Sequence, residues 1–395
     1  MDRGRITVSL AEYEEGAVRF YASDLEELER LGLAYTKARV FYNPDMRSNR
    51  DIAVAVASLL GEEVVAADIM AASGVRALRL AAEAGAAVIA NDRNPLAYHA
   101  IRLGIRRNGL EGSVDAWLMD ANLASLSLKE SGGVDYLDVD PFGTPSPFLW
   151  AAVGAVRIGG ILAVTATDTP VLYGVYPDKL FRVYFAHGRK VEFHKEAGLR
   201  ILAAYAARVA AVYDLAVRPV LAHATRHYAR VYFRVERGAT KASESLREML
   251  GWVSYCLRCG WRMIQQGRYP PKEESCPRCG SRLEKLGPLW VGDILDEGVV
   301  KPTLKKLNEC VWFSEEAREI VESLSQELGM PPLYYDLDLL ASRRKLPSPS
   351  PRAAVKALRS RGFRASLVHC EKKSIKTDAS IGEIEEVVRD LVRGK

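Results

Sequence analysis

Glutamine is almost missing from this 395-residue chain. Only Gln265, Gln266 and Gln326 occur, beside 55 Lys and Arg and 50 Asp and Glu. Replacing amides with charges is a habit of heat-tolerant proteins. No run of eighteen apolar residues exists, so the sequence offers no membrane-spanning helix. The opening stretch, MDRGRITVSLAEYEEG, lacks the apolar segment of a secretory leader, and a cytoplasmic chain is expected. Cysteine is scarce at six residues, and disulfides are the weaker reading of them in that setting. Net charge is only +5, so any surface for nucleic acid must be a local patch. There is no G-x-G-x-x-G in the first strand-to-helix turn, no phosphate loop ending in Lys-Ser/Thr and no H-E-x-x-H. Nor do the Ser and Cys residues have a convincing His partner for nucleophilic chemistry.

What is present is length and rhythm. A chain of this size exceeds one ordinary core, and two or three domains are expected. Between residues 52 and 165 strand-like and helix-like segments alternate. The strands are VVAAD (64–68), AVIAND (87–92), VDAWLMD (114–120), VDYLDVD (134–140) and ILAVTATD (161–168). Helical patterns cover 75–84 and 95–108. Asn94-Pro95 reads as an N-cap with proline in the first helical position, and Ser146-Pro147 repeats that pairing. Such alternation predicts an α/β fold with a parallel, doubly wound, Rossmann-like sheet. A helix over 195–213 and a strand over 227–236 close that domain. The division predicted is 1–245 for the Rossmann-like domain, 246–290 for a cysteine-rich module and 291–395 for an α+β C-terminal region.

Ligands of open α/β sheets sit beyond the carboxyl ends of the strands, where strand order reverses. Three successive strands here end in a carboxylate: Asp68, Asp92 and Asp120. After the first comes MAASGVRAL, a small-residue turn in which Gly74 would let a ligand approach the backbone. Asp92 is placed to hold a ribose diol. The turn has one glycine and Arg76 rather than a diphosphate cradle, which favours S-adenosylmethionine over a dinucleotide. The competing reading is that these Asp residues only cap helices.

The next strand ends in LDVDPFGTPSPF (137–148). A nucleobase amine is a poor nucleophile that must lose a proton when alkylated. Its site needs acceptors aimed at N–H bonds and an aromatic face for the ring. Asp140 and the Pro141 carbonyl would accept, Phe142 would stack, and Asp138, on the same strand face, would orient Asp140. A plain capped turn is the bland alternative.

Cys256-x-x-Cys259 and Cys276-x-x-Cys279, sixteen residues apart and each followed by Gly, have the spacing of a four-thiolate zinc ribbon with structural Zn2+. Cys310 and Cys370 stand alone and are expected in the interior. From 343 to 376 the chain is basic almost throughout: Arg343, Arg344, Lys345, Arg352, Lys356, Arg359, Arg361, Arg364, Lys372, Lys373 and Lys376, opposed by Glu371. That density suits an RNA backbone, against the alternative of a solvated helix face. His223 and His227 have i, i+4 spacing but are expected to be structural.

Together, FYNPDMRSNRD (41–51), AASGVRALR (71–79), NDRNP (91–95), DVDPFGTP (138–145), TATDT (165–169), KEAGLRIL (195–202), HYARVYFRV (227–235) and IKTDA (375–379) closely resemble the archaeal and eukaryotic tRNA guanine-26 N2-dimethyltransferases. The resemblance implies S-adenosylmethionine as methyl donor and tRNA as partner, with no membrane and no obligate protein partner. It implies Arg50 and Arg76 as donor-binding, Asp92 for the ribose, and Asp120 and Ala121 at the adenine. It further implies Asp140 as the catalytic aspartate, with Phe41 and Phe142 flanking the guanine. Alternatives are another RNA guanine-N2 methyltransferase (monomethylating, or acting at position 27), a non-catalytic zinc-ribbon RNA-binding protein, and a dehydrogenase.

Overall fold

A computed structural model describes residues 8–393; residues 1–7, part of the stretch read above for a leader, and 394–395 lie outside it. The chain forms two compact units that alternate along the sequence. The first takes the chain up to Asp140, then Phe148–Ala163 and Pro302–Glu319. The second takes Pro141–Pro147, Val164–Lys301 and Ile320–Lys395.

The first unit opens with an antiparallel hairpin, β1 (Leu10–Glu15) and β2 (Val18–Ser23), with Glu15 opposite Val18. Its sheet contains β3 (Val65–Asp68), β4 (Ala87–Asn91), β5 (Val114–Trp117), β6 (Val134–Val139) and the start of β7 (Val156–Ala166). They lie in the order β5-β4-β3-β6-β7. β3, β4 and β5 are parallel neighbours, and β6 joins β3 on its other side, also parallel. Strand order therefore reverses at β3, and the register there sets Asp68 directly opposite Asp138. This is the expected Rossmann-like α/β arrangement.

Local sequence explains the flanking helices. The helix Val75–Ala84 begins after Gly74 and stops at Gly85, both left-handed. The helix Pro95–Asn108 is capped by the Asn94 side chain, which accepts from the Leu96 N–H at 3.0 Å, with Pro95 in its first turn. Ser146 does not repeat this cap. It is the first residue of the helix Ser146–Ala152, and its hydroxyl donates to Val183 O (3.0 Å) and Tyr205 Oη (2.7 Å). Pro302–Glu319 is clipped to the rest of the first unit by polar and cation–ring contacts. Ser314 donates its N–H and hydroxyl to Asp51 (2.8 and 2.5 Å), Arg47 donates to Trp312 O (2.7 Å), and the Arg79 guanidinium lies 5.9 Å from the Phe313 ring.

In the second unit the helix His194–Ala211 is buried along most of its length, as expected of a central helix that is apolar nearly all round. The hairpin β8 (Leu215–Thr225) and β9 (Tyr228–Arg237) is buried along most of its length, and β8 was not evident from the sequence pattern. The cysteine-rich module is a three-stranded sheet, β11-β10-β12, from β10 (Leu250–Tyr255), β11 (Arg262–Gln266) and β12 (Glu284–Trp290). Beyond it, β13 (Tyr335–Asp336), β14 (Ala365–Leu367) and β15 (Ser374–Thr377) pair in the order β13-β15-β14. A cluster including Leu337, Leu358, Ile375, Ile384 and Val388 forms their core. Each such side chain contributes roughly 1.5–3 kcal/mol by leaving water.

Candidate active site and four-cysteine centre

The carboxyl ends of β3 and β6 bring three predicted carboxylates onto one guanidinium. Arg76, 5% exposed, projects from the first turn of Val75–Ala84. It ion-pairs with Asp140, lies 3.4 Å from Asp138 and 3.6 Å from Asp68, and donates to Asn49 Oδ1 at 2.8 Å. Tyr136 donates its hydroxyl to Asp138 at 2.9 Å. The side chains of Asp68 and Asp138 are 3% and 0% exposed, whereas that of Asp140 is 17% exposed. Among the three, Asp140 is the one a substrate can meet. Burial, aided by the negative charges of Asp138 and Asp140 and opposed by Arg76, pushes Asp68 up to about 7.

The Pro141–Pro147 segment is pinned within the second unit. Gly143 N donates to Thr167 Oγ1 (2.6 Å), Thr167 N donates to Gly143 O (2.9 Å), and Thr144 donates to Tyr184 Oη (3.0 Å), which donates onward to Asp168 (2.7 Å). On this anchored turn Phe142 is 64% exposed. Phe41, in the first unit, is half-buried.

At the proposed donor end, Asp92 accepts from the N–H groups of Ala72 and Asn94, both at 2.8 Å. Asp120 caps Ala121–Glu130 through the Asn122 N–H (2.9 Å), and Ala121 is buried. Capping and ligand binding are compatible, since each carboxylate oxygen can accept twice. The turn itself is a tight cradle, with φ of +49° at Ala72 and +79° at Gly74. Gly74 serves packing, though: a Cβ there would lie 2.9 Å from Ile101 Cγ1. An acceptor-rich strand end without a glycine-rich amide nest fits a ribose-bearing cation such as S-adenosylmethionine better than a diphosphate.

Arg50 is buried against Glu15, donating at 2.7 and 2.5 Å, and also donates to Asn43 O. Arg79 shares that carboxylate at 2.8 Å. Burial would raise Glu15, but Arg50 and Arg79 hold it down to about 2. Glu15, Asn49 and Arg79 were missed by sequence reasoning. Asn49 sits inside the RSNRD motif and could have been found there; nothing in the sequence marks Glu15.

The four cysteines converge as expected, their sulfurs lying within 4.8 Å of one another. Cys256 and Cys279 are 3.4 Å apart and Cys259 and Cys276 3.6 Å, close to the roughly 3.8 Å edge of a tetrahedron with ~2.3 Å zinc–sulfur bonds. Each knuckle is closed by matching bonds, Gly260 N to Cys256 O (2.9 Å) and Gly280 N to Cys276 O (2.8 Å). Both glycines are left-handed, at +78° and +69°. Cys370 is buried and Cys310 only half-buried. His223 is buried between Tyr228 and Tyr232 while His227 is exposed, so they form no metal pair.

The residues expected at RNA divide sharply. Arg343 pairs with Glu192 (3.0 Å) and the Tyr255 hydroxyl (2.7 Å), Arg344 with Glu385 (2.7 Å), Arg361 with Asp390 (2.5 Å) and Arg364 with Asp378 (2.9 Å). Lys376 requires correction: it is buried on β15 between Glu196 (3.2 Å) and Glu327 (2.9 Å), and no phosphate can reach it there. Lys345, Lys372 and Lys373 are exposed.

The family model described as N2,N2-dimethylguanosine tRNA methyltransferase matches residues 16–389. A tRNA (guanine(26)-N(2))-dimethyltransferase of Methanothermobacter thermautotrophicus is 37% identical over 385 residues, covering 96% of this chain and 98% of that protein. One from Natronomonas pharaonis is 38% identical over 350 residues, covering 88% and 93%. Among solved structures, the complex of Trm1 from Pyrococcus horikoshii with S-adenosyl-L-methionine superposes with a TM-score of 0.86 at 30% identity, covering 96% of this chain and all of that one.

Proposed function

The chain belongs to the N2,N2-dimethylguanosine tRNA methyltransferase family, and from that premise we propose that it dimethylates the exocyclic N2 of guanine 26 in tRNA, through the monomethyl intermediate. The observation that carries the reading is the family match across residues 16–389, which includes both the carboxylate cluster and the four cysteines. S-adenosylmethionine, when bound, supplies a methyl group on a positively charged sulfur. Arg76 and Asp92, with Asp68, Gly74, Arg50, Asp120 and Ala121, are the residues proposed to hold it.

The remaining chemistry belongs to the chain. Asp140, the most accessible carboxylate of the cluster, accepts an N2 hydrogen bond and then the proton that each transfer releases. Arg76, itself bonded to Asn49, holds it in place, and Asp138 acts on it through the same guanidinium. The Pro141 carbonyl is a second acceptor, and Phe142 and Phe41 are stacking faces for the base. After the first methylation one N–H remains for an acceptor to hold; after the second none does, and the product loses that anchor. A zinc ion on Cys256, Cys259, Cys276 and Cys279 braces the 246–290 module, with 291–395 the RNA-facing region of a cytoplasmic enzyme.

The test pairs two measurements on Asp140→Asn. Mass spectrometry of nucleosides from tRNA incubated with enzyme and donor should find neither methylated guanosine, while calorimetry finds donor affinity retained. Lost donor binding would instead place Asp140 in the donor pocket.

A further inference from the structure

Internal ion pairs engage five of the eleven basic side chains of the C-terminal segment, Arg343, Arg344, Arg361, Arg364 and Lys376. The exposed Lys345, Lys372 and Lys373 escape this singly, and one helix face escapes it as a row. The helix Pro351–Ser360 carries Arg352, Lys356 and Arg359 and not a single acidic residue. These three are spaced i, i+4, i+7, which places them along one face of an α-helix, about 6 and 4.5 Å apart along its axis. All are exposed, and none makes an ion pair among the described residues. Arg359 donates its Nε to Ala365 O at 2.9 Å, which fixes its guanidinium at the surface. The helix's Ala354, Val355 and Leu358 are buried on another face, in the core beneath.

We propose that Arg352, Lys356 and Arg359 form a phosphate-binding rail for the backbone of the RNA substrate. The inference rests on the reading that this chain acts on tRNA, and it names a surface for that contact. Elsewhere in the segment each arginine has a carboxylate beside it, so charge is left unneutralised where a polyanion would supply the counter-charge. A membrane surface is the weaker partner: the helix has no exposed large apolar side chain to insert, as its Val355 and Leu358 are already buried.

Binding of a tRNA transcript to the full-length protein, measured by fluorescence anisotropy across a potassium chloride series, tests this. Each phosphate contact contributes about 0.9 to the slope of log affinity against log salt. The variant Arg352→Gln/Lys356→Gln/Arg359→Gln should therefore lose about 2–3 from that slope, with donor affinity and circular dichroism unchanged. Arg361→Gln/Arg364→Gln, which removes internally paired charges, should lose less than about 1 on the same scale. Should the triple variant fold poorly, the three single variants serve, each expected to lose about 0.9. An unchanged slope, or an equal loss in the paired control, overturns the rail while leaving the tRNA reading intact. Absence of salt-dependent tRNA binding by the parent protein defeats the tRNA reading itself. Rail-dependent binding to phosphatidylserine vesicles without tRNA binding would also overturn the proposal. Point substitutions are required because a deletion from the rail onward would also remove Leu358, Ile375, Ile384 and Val388 from the core beneath it.

Discussion

Replacing Lys376 by methionine separates a structural cation from an RNA contact. Its ammonium lies 3.2 Å from Glu196 and 2.9 Å from Glu327, and all three side chains are at most 3% exposed. Removing one partner of a buried ion pair costs about 3–5 kcal/mol, because the charge left behind stays out of water. The lower end applies here. Glu196 keeps Arg200 at 2.8 Å and the Leu333 N–H, and Glu327 keeps the His369 N–H and ring at 2.7 Å. An unfolding entropy of about 2.1 cal/mol/K per residue over the whole chain turns 3 kcal/mol into a melting drop of about 4 °C. Scanning calorimetry at neutral pH reads the drop, and the tRNA salt series should keep its parental slope. A melting temperature within about 1 °C of the parent would refute the reasoning, and a shallower salt slope at unchanged stability would return Lys376 to the RNA surface.

Acid should unfold the protein in a defined window. Glu15 sits at about 2, where burial is outweighed by Arg50 and Arg79, and so does Glu327, where burial is outweighed by Lys376 and His369. Both are depressed from 4.5, so their contribution is complete above that value and vanishes as pH falls towards 2; thermal melts from pH 6 to 2.5 should steepen there, and Glu15→Gln should flatten the curve. Gly74→Ala combines a left-handed backbone, costing about 1–2 kcal/mol, with the approach to Ile101, and should lower the melting temperature by several degrees; a parental melt would show that the cradle tolerates a side chain. Metal analysis of the purified chain should find one zinc per molecule, whose chelation lowers the melting temperature but not donor affinity; metal-free protein of full stability would exclude the structural role.

Local signals were legible in the sequence, and long-range ones were not. The helices 75–84 and 95–108 were read with their observed ends because Gly74, Gly85, Asn94 and Gly109 mark them chemically. The cysteine centre was legible for the same reason: each knuckle closes on itself within five residues. The β1–β2 hairpin offers no apolar run to read, since Glu12 and Glu14 alternate with its inward residues. β8 has no alternation to read, being buried along most of its length. The carboxylates at the strand ends were found, but their convergence on Arg76 depends on a register that pairs Asp68 with Asp138, seventy positions on. The misreading of Lys376 has the same origin: its partners, Glu196 and Glu327, are far away in the chain, and a basic residue in a basic segment resembles its neighbours.

The return of Pro302–Glu319 to the first unit governs how the protein can be made. Translation at about 5–20 residues per second leaves roughly 8–30 s between the emergence of Ala163 and that of Glu319 from the ribosome. Throughout that interval Asp51 waits for Ser314 and Arg79 for Phe313. A nascent chain stalled there would offer chaperones and proteases an unfinished catalytic unit, although every proposed catalytic residue had already been synthesised.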